Sequence, residues 1–231
     1  MVTAFVPLAV KHLSSARYHE LGRRLADACG GRLQVIQHGV DECWLSRWFK
    51  IHPFGVQTDW FKPAQPTPAD RYETPGDFVR SNIVQHNRTT WAMECLNAHA
   101  DADIIVWMDY GVLKQGGFTG KPVQEHHIAD FIERLENSTF DDIPFPGIWQ
   151  PGDISDHGDN WRFVGSTHIW PRKWLPLIHA AYRVECAHFI RRVGAVPNDL
   201  PIWAHVERKY GFPWRFYQAN HDATQFTGFT G

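Results

Sequence analysis

The sequence has no long apolar run, no cysteine pair and almost no net charge. Across its 231 residues, no apolar stretch approaches the ~20 residues that a membrane-spanning helix needs, so we predict no membrane span. The apolar start MVTAFVPLAV has no basic segment before it. We therefore interpret it as a first buried strand, not as a signal peptide.

The four cysteines (Cys29, Cys43, Cys95 and Cys186) lie far apart and form no Cys-x-x-Cys pair. This spacing argues against a zinc knuckle or a disulfide scaffold and favours a reducing compartment, which predicts a cytoplasmic protein. The 23 basic and 25 acidic residues leave a net charge of −2 with neutral histidine. A nucleic-acid partner is therefore not favoured, although the net charge does not exclude a local basic groove that binds nucleic acid.

The composition is that of a folded protein. Hydrophobic residues make up 43% of the chain and charged residues 21%, which excludes disorder as the main state. The length fits one domain, and we predict a single domain over residues 1–231. The 11 tryptophans and 14 histidines are unusual. Most of the tryptophans are expected in the core, although their flat faces also suit stacking on sugars or bases.

The beginning of the chain predicts a β-α-β unit. The apolar run 2–8 is a strand candidate, helical spacing follows over 15–28 until Gly30-Gly31, and RLQVIQ at 32–37 is a second strand. Such a unit favours a parallel sheet with helices packed on it. An unbroken apolar run at 104–108 predicts a central strand buried on both faces, parallel to the first two and beside them.

Weaker patterns predict the other elements. The aromatic-rich stretch 39–72 contains several prolines and is predicted to be irregular. Pro171 is expected to open a long helix that ends near Gly194. Helices are also predicted over 77–98 (in two pieces), 124–137 and about 199–210, and short strands at 148–149, 162–164 and 214–218.

Asp109 is the strongest candidate for a functional residue, because it stands at the carboxyl end of the predicted central strand. Ligands of open α/β sheets bind beyond the carboxyl ends of the strands. A carboxylate there needs a partner, and a divalent metal or a ribose hydroxyl would serve. A loop or helix cap is the structural alternative.

The segment VWMDYGV around Asp109 resembles the metal and nucleotide motif of GT-A glycosyltransferases, most closely the variant of the HtrL/YibB-like group. Further motifs follow the order of that family over almost the whole chain. They are Ala4-Phe5 in the first strand, a helix with Arg88 before the acidic strand, the Phe-Val-Gly-Ser segment with Gly165 and Ser166, Asn198-Asp199 before a helix with Trp203, and YQANHD with His221.

This resemblance implies a single-domain GT-A-like (Rossmann-like) α/β fold with a mixed, mostly parallel sheet flanked by helices. It implies transfer of a sugar from a nucleotide-diphosphate-sugar donor to an unidentified hydroxyl acceptor: a glycan, a metabolite, a protein or a modified nucleobase. The residues expected to bind the nucleotide or the donor are Ala4, Phe5, Arg80, Arg88, Trp107, Asp109, Gly165 and Ser166.

Two roles follow for the acidic residues. Asp199 is expected to act as the general base on the acceptor hydroxyl, with a helix N-cap as the alternative. Gly111 stands where the family's Asp-x-Asp motif has its second carboxylate. A Mn²⁺ or Mg²⁺ site would therefore rest on Asp109 with His221 or Asp222 and would be weakened, or no tight metal would bind.

Two other functions stay open on the same residues. The His221-Asp222 pair is compatible with a metal-dependent phosphohydrolase, although the family of such enzymes needs further His and Asp residues. The incomplete Asp-x-Asp motif and the many tryptophans are compatible with a catalytically inactive carbohydrate-binding module.

Overall fold

The computed structural model of the chain describes residues 2–7, 16–30, 32–38, 43–51, 75–109, 111–116, 119–148 and 162–231. The strands in these ranges are β1 (Val2–Pro7), β2 (Leu33–His38), β3 (Ile104–Asp109), β4 (Ile143–Gly147), β5 (Thr167–Pro171) and β6 (Trp214–Gln218). The helices are α1 (Ala16–Ala28), α2 (Trp44–Ile51), α3 (Pro75–Gln85), α4 (Arg88–Ala98), α5 (Glu125–Glu136), α6 (Leu175–Val193), α7 (Leu200–Tyr210) and α8 (Thr224–Thr227).

The larger sheet has the strand order β2-β1-β3-β5. β1 lies parallel to both β2 and β3, and β5 runs antiparallel to β3. The prediction of three neighbouring parallel strands is thus confirmed. A second sheet pairs β4 with β6 in parallel. The described residues therefore form a mixed helix-and-strand structure compatible with α/β, while the finer GT-A-like assignment stays a prediction.

The strand order reverses between β1 and β3. The chain passes from β1 to β2 on one side of β1 and then returns to β3 on the other side. Asp109, the last residue of β3, is in register with Phe5 of β1. The reversal of strand order between β1 and β3 is the point at which open α/β sheets bind their ligands.

The hydrophobic core lies on both faces of the larger sheet. Successive side chains of β3 point alternately into the one cluster and into the other. Ile105 and Trp107 pack into one hydrophobic cluster, which includes Trp91 of α4 and residues of α6 and α7. Val106 and Met108 pack into another, with Leu21 and Leu25 of α1 and residues of α5 and α8. All four β3 side chains are buried, which confirms the central strand and the packing of α1 on one face. Burying such side chains stabilises the fold by about 1.5–3 kcal/mol each.

The predicted irregularity of 39–72 is wrong for its first part, where α2 begins at Trp44 and ends at Ile51. Trp44 and Leu45 are buried in the core, and Trp48 packs against it. That spacing marks one helix face, and it lies ahead of the first proline of the stretch at Pro53. Residues 52–74 lie outside the described residues.

The predicted strands at 148–149 and 162–164 are also wrong, as far as the described residues extend. The strands are β4, with the sequence IPFPG, and β5, with THIWP. Proline is disfavoured in central strands because it lacks the N–H donor, but β4 pairs only with β6 in its sheet. Pro171 ends β5 instead of opening a helix, and α6 begins at Leu175 with Pro176 in its first turn.

The other predicted helices are confirmed with small shifts of their ends. The two pieces of the 77–98 helix are α3 and α4, which meet at His86 and Asn87. Gly194 and Gly211 follow α6 and α7 with φ of +71° and +59°, a left-handed conformation that glycine adopts without steric cost. Among the described residues, none of the helices has the length and the apolar character that a membrane crossing requires.

Candidate functional site

Asp109 ends β3 with a side chain that is 33% exposed. Its Oδ1 accepts hydrogen bonds from Arg88 Nη2 at 3.0 Å and from Trp107 Nε1 at 3.0 Å. Within the part of the chain that the structure describes, its Oδ2 receives only the longer contact from the same Nη2, at 3.3 Å. The backbone N–H of Asp109 donates to the Ser166 carbonyl at 2.8 Å. The carboxylate is therefore held in one orientation while part of it reaches solvent.

Arg88, the first residue of α4, lies behind Asp109 with a side chain that is only 4% exposed. Its Nη1 donates to Oδ2 of Asp199, which is equally buried. One guanidinium thus joins two carboxylates, and we call Asp109, Arg88 and Asp199 the Asp-Arg-Asp bridge. A guanidinium suits this role because it is planar and permanently charged, with several donors in a fixed geometry. The bridge carries a net charge of −1 when both carboxylates are ionised.

His86, which lies between α3 and α4, fixes the start of α4 through two hydrogen bonds. The Tyr182 hydroxyl on α6 lies 2.7 Å from His86 Nδ1, and His86 Nε2 lies 3.0 Å from the Pro197 carbonyl. A carbonyl only accepts, so Nε2 carries the proton and Nδ1 accepts from the hydroxyl. Burial lowers the pKa of His86 to about 4. Neutral His86 therefore ties the segment before Arg88 to the segment before Asp199.

Asp199 precedes α7 but does not cap it, because its side chain makes no capping hydrogen bond. Instead Asn198 Oδ1 accepts the Leu200 N–H at 3.1 Å, and Asp199 Oδ2 accepts from Trp203 Nε1 at 3.3 Å. The N-cap alternative is therefore wrong for this side chain. Burial raises the pKa of Asp199, and Arg88 opposes that effect. A buried carboxylate engaged by Arg88 is not presented to an acceptor, so the structure does not give it the geometry of the expected base.

Gly165 lies against the bridge. A Cβ at this position would lie 3.2 Å from Leu200 Cδ2, 3.7 Å from Arg88 Nη1 and 3.9 Å from Asp199 Oδ1. The absence of a side chain allows this close packing. Gly165 is buried, so it shapes the inner side of the bridge.

Ser166 is buried in a network that the sequence does not reveal. Its hydroxyl lies 3.1 Å from Gln115 Oε1 and 2.8 Å from Gln225 Oε1. Gln225 Oε1 also accepts from the Thr167 hydroxyl at 2.7 Å, and its Nε2 donates to Gln115 Oε1 at 2.8 Å. The network joins α8 to the beginning of β5 next to Asp109. No local pattern marks Gln115 or Gln225, because their partners are 51 to 110 residues away.

Trp107 is a core residue whose ring nitrogen donates to Asp109 and whose ring centre lies 5.7 Å from the Arg88 guanidinium. It is fully buried, and its ring stacks on Trp91 with centroids 6.0 Å apart and planes 10° apart. Neither face is therefore open to a nucleotide base. Trp91, Trp170 and Trp203 are fully buried as well, which weakens the interpretation of these tryptophans as a carbohydrate-stacking surface.

The remaining predicted residues lie on α3, on β1 and in the turn after β6. Arg80 is half-buried on α3. The backbone of Ala4 and Phe5 pairs with Met108 and Asp109 on β3. His221 is half-buried in the turn after β6, and its backbone N–H donates to Asn220 Oδ1 at 2.8 Å. Its approach to Asp109 stays a prediction.

The donor set does not fit a divalent cation. Mg²⁺ and Mn²⁺ favour several oxygen ligands together, and no group of three or more His, Cys, Asp or Glu residues within the described part of the chain could hold a metal. Asp109 is already paired with Arg88, so a divalent ion there would face a guanidinium. We derive no chemical step through a metal.

Neither a protein-family model nor a curated protein sequence matches the chain. The family resemblance therefore depends on the order of its short sequence motifs.

Proposed function

We propose that the chain is a glycosyltransferase of the GT-A type, resembling the HtrL/YibB-like group, which moves a sugar from a nucleotide-diphosphate-sugar donor to a hydroxyl acceptor. The position of Asp109 is the main support for this proposal. Asp109 is a fixed and partly exposed carboxylate at the reversal of strand order between β1 and β3. Ligands of open α/β sheets bind beyond the carboxyl ends of the strands at such a reversal.

The chemistry of Asp109 supports a hydroxyl-bearing ligand. Oδ1 already accepts from Arg88 and Trp107. Among the described residues, Oδ2 has only the 3.3 Å contact, which leaves it lone pairs for a ligand. Hydrogen bonds to an ionised carboxylate are about twice as strong as neutral ones. The hydroxyls of a ribose or of a donor sugar are donors that Oδ2 would accept.

The neighbouring residues act by positioning. Arg88 and Trp107 fix the orientation of Asp109, and Asp199 holds Arg88 from its other side. In this proposal Asp199 is a positioning residue and no longer the acceptor base. Arg80, which is expected to bind the nucleotide or the donor, is proposed as the contact for the diphosphate. A fixed carboxylate lowers the entropic cost of orienting the donor for attack.

Compartment and partners complete the proposal. We place the reaction in the cytoplasm, because the four cysteines are buried thiols with no disulfide among them. The acceptor is a glycan, a metabolite, a protein or a modified nucleobase. A nucleic-acid acceptor is the least favoured, given the net charge of −2.

A thermal-shift screen tests this function. Nucleoside diphosphates and nucleotide sugars are added singly, and a ligand of the folded state raises Tm by mass action. We expect one nucleotide class to stabilise the protein and its sugar form to be hydrolysed or transferred slowly. Binding without turnover would favour the inactive carbohydrate-binding module. Release of phosphate from simple esters would favour the phosphohydrolase.

A further inference from the structure

We infer that the guanidinium of Arg88 occupies the cation position between Asp109 and Asp199, so that nucleotide binding at this site is independent of a divalent metal. The part that concerns the nucleotide rests on the proposed function. The part that concerns the cation position rests on the Asp-Arg-Asp bridge alone.

The two carboxylates come from distant elements and converge on one cation. Asp109 ends β3, Asp199 precedes α7, and each is bound by a different Nη atom of Arg88. Two carboxylates brought together in a region of low dielectric repel each other unless a positive charge lies between them. This is the electrostatic arrangement that a bound divalent ion also satisfies.

Arg88 is built to stay in that position. Its side chain is 4% exposed, and its guanidinium lies 5.7 Å from the centre of the Trp107 ring. Gly165 is buried beside the guanidinium, where an added Cβ would lie 3.7 Å from Nη1. Arginine cannot lose its proton in a protein, so the charge is present at every working pH.

Removal of the guanidinium has a distinct consequence. In Arg88→Ala the two carboxylates lose their shared partner, and the truncated side chain leaves space between them. Two carboxylates around a space filled by water are hard oxygen ligands of the kind that Mn²⁺ accepts. The variant is therefore expected to gain a Mn²⁺ site that the natural chain does not have, whereas Arg88→Lys keeps a cation in place and does not gain it.

The test measures binding of Mn²⁺ alone by electron paramagnetic resonance, and Tm with and without Mn²⁺. We expect no Mn²⁺ site at Asp109 in the wild type and in Arg88→Lys. We expect one in Arg88→Ala that disappears in Arg88→Ala/Asp109→Asn, with a Mn²⁺-dependent rise of Tm in the single variant only. A wild-type Mn²⁺ site abolished by Asp109→Asn overturns the inference, and so does a folded Arg88→Ala protein without a site. If Arg88→Ala does not fold, Mn²⁺ binding of the wild type is compared with that of Asp109→Asn. A site lost in Asp109→Asn overturns the inference, and the absence of a site in the wild type supports it.

A second arm titrates the stabilising nucleotide in EDTA and in Mn²⁺. We expect equal affinities, and an affinity at least about tenfold higher in Mn²⁺ would overturn metal independence. Absence of nucleotide binding in both buffers overturns the proposed function and, with it, the nucleotide part of the inference. The cation position is then still decided by Mn²⁺ binding alone, so the two failures are distinguishable.

Discussion

Arg88 and Asp199 form a buried ion pair across 111 residues of sequence. The pair joins the beginning of α4 to the residue before α7, and the other arm of the guanidinium holds Asp109 at the end of β3. The orientation of the exposed carboxylate therefore depends on contacts between three elements that meet only in the folded protein.

Arg88→Ala is expected to lower the free energy of unfolding by about 3–5 kcal/mol, because it leaves two carboxylates without their buried partner. Urea unfolding measures the change. Arg23→Ala is the matched control: Arg23 pairs with Glu20 and Asp27 on the exposed face of α1, with a side chain that is 64% exposed. Because this pair is exposed to solvent, its loss should change the free energy of unfolding very little. Equal losses of stability in the two variants would contradict a stabilising role of the Asp-Arg-Asp bridge.

Asp199→Asn is expected to destabilise the protein more than Asp109→Asn does. The Asp199 side chain is 4% exposed and the Asp109 side chain 33%, so water compensates part of the loss only at Asp109. Breaking a buried charged hydrogen bond costs about 1.5–3 kcal/mol. Urea unfolding of both variants decides the order. If Asp199→Asn is as stable as the wild type, Asp199 is not the anchor of Arg88.

Stability is expected to fall as the pH drops from about 6.5 towards 4. Burial lowers the pKa of His86 and of His179 to about 4 and that of His168 well below its usual value. The unfolded chain binds protons near pH 6.5 and the folded chain only near pH 4, so acid favours unfolding across this interval. His86 alone should contribute ~2 kcal/mol between pH 7 and pH 5.

Urea unfolding of His86→Gln at both pH values checks the assignment. The variant is less stable overall, but its loss of stability from pH 7 to pH 5 should be smaller than that of the wild type. The same loss in both proteins would show that His86 does not titrate as its burial requires.

Asp109 was predictable from the sequence because the signal is local. An unbroken apolar run after a β-α-β beginning predicts a central strand, and the residue that ends it falls at the ligand-binding edge. The partners of Asp109 were not predictable as partners. The sequence predicts Arg88 as a ligand of the nucleotide or donor and Asp199 as an acceptor base, because no local pattern reveals an ion pair between the ends of distant helices.

Other differences also have local causes. The sequence does not predict β4 because it contains Pro144 and Pro146, and proline is disfavoured in most strands. The sequence does not predict α2 because prolines follow it from Pro53 onward and make the whole stretch look irregular. No sequence pattern predicts the network of Gln115 and Gln225, because the two side chains meet only through tertiary contacts.

The most direct test of the proposed donor site is calorimetric titration of the stabilising nucleoside diphosphate into the wild type, Asp109→Asn and Asp130→Asn. Asp130 is an exposed aspartate on α5, so its substitution removes the same charge away from the site. We expect Asp109→Asn to weaken binding by at least about tenfold, which is 1.4 kcal/mol, and Asp130→Asn to bind like the wild type. Equal affinities in all three proteins would contradict the assignment of Asp109 as the residue that holds the nucleotide.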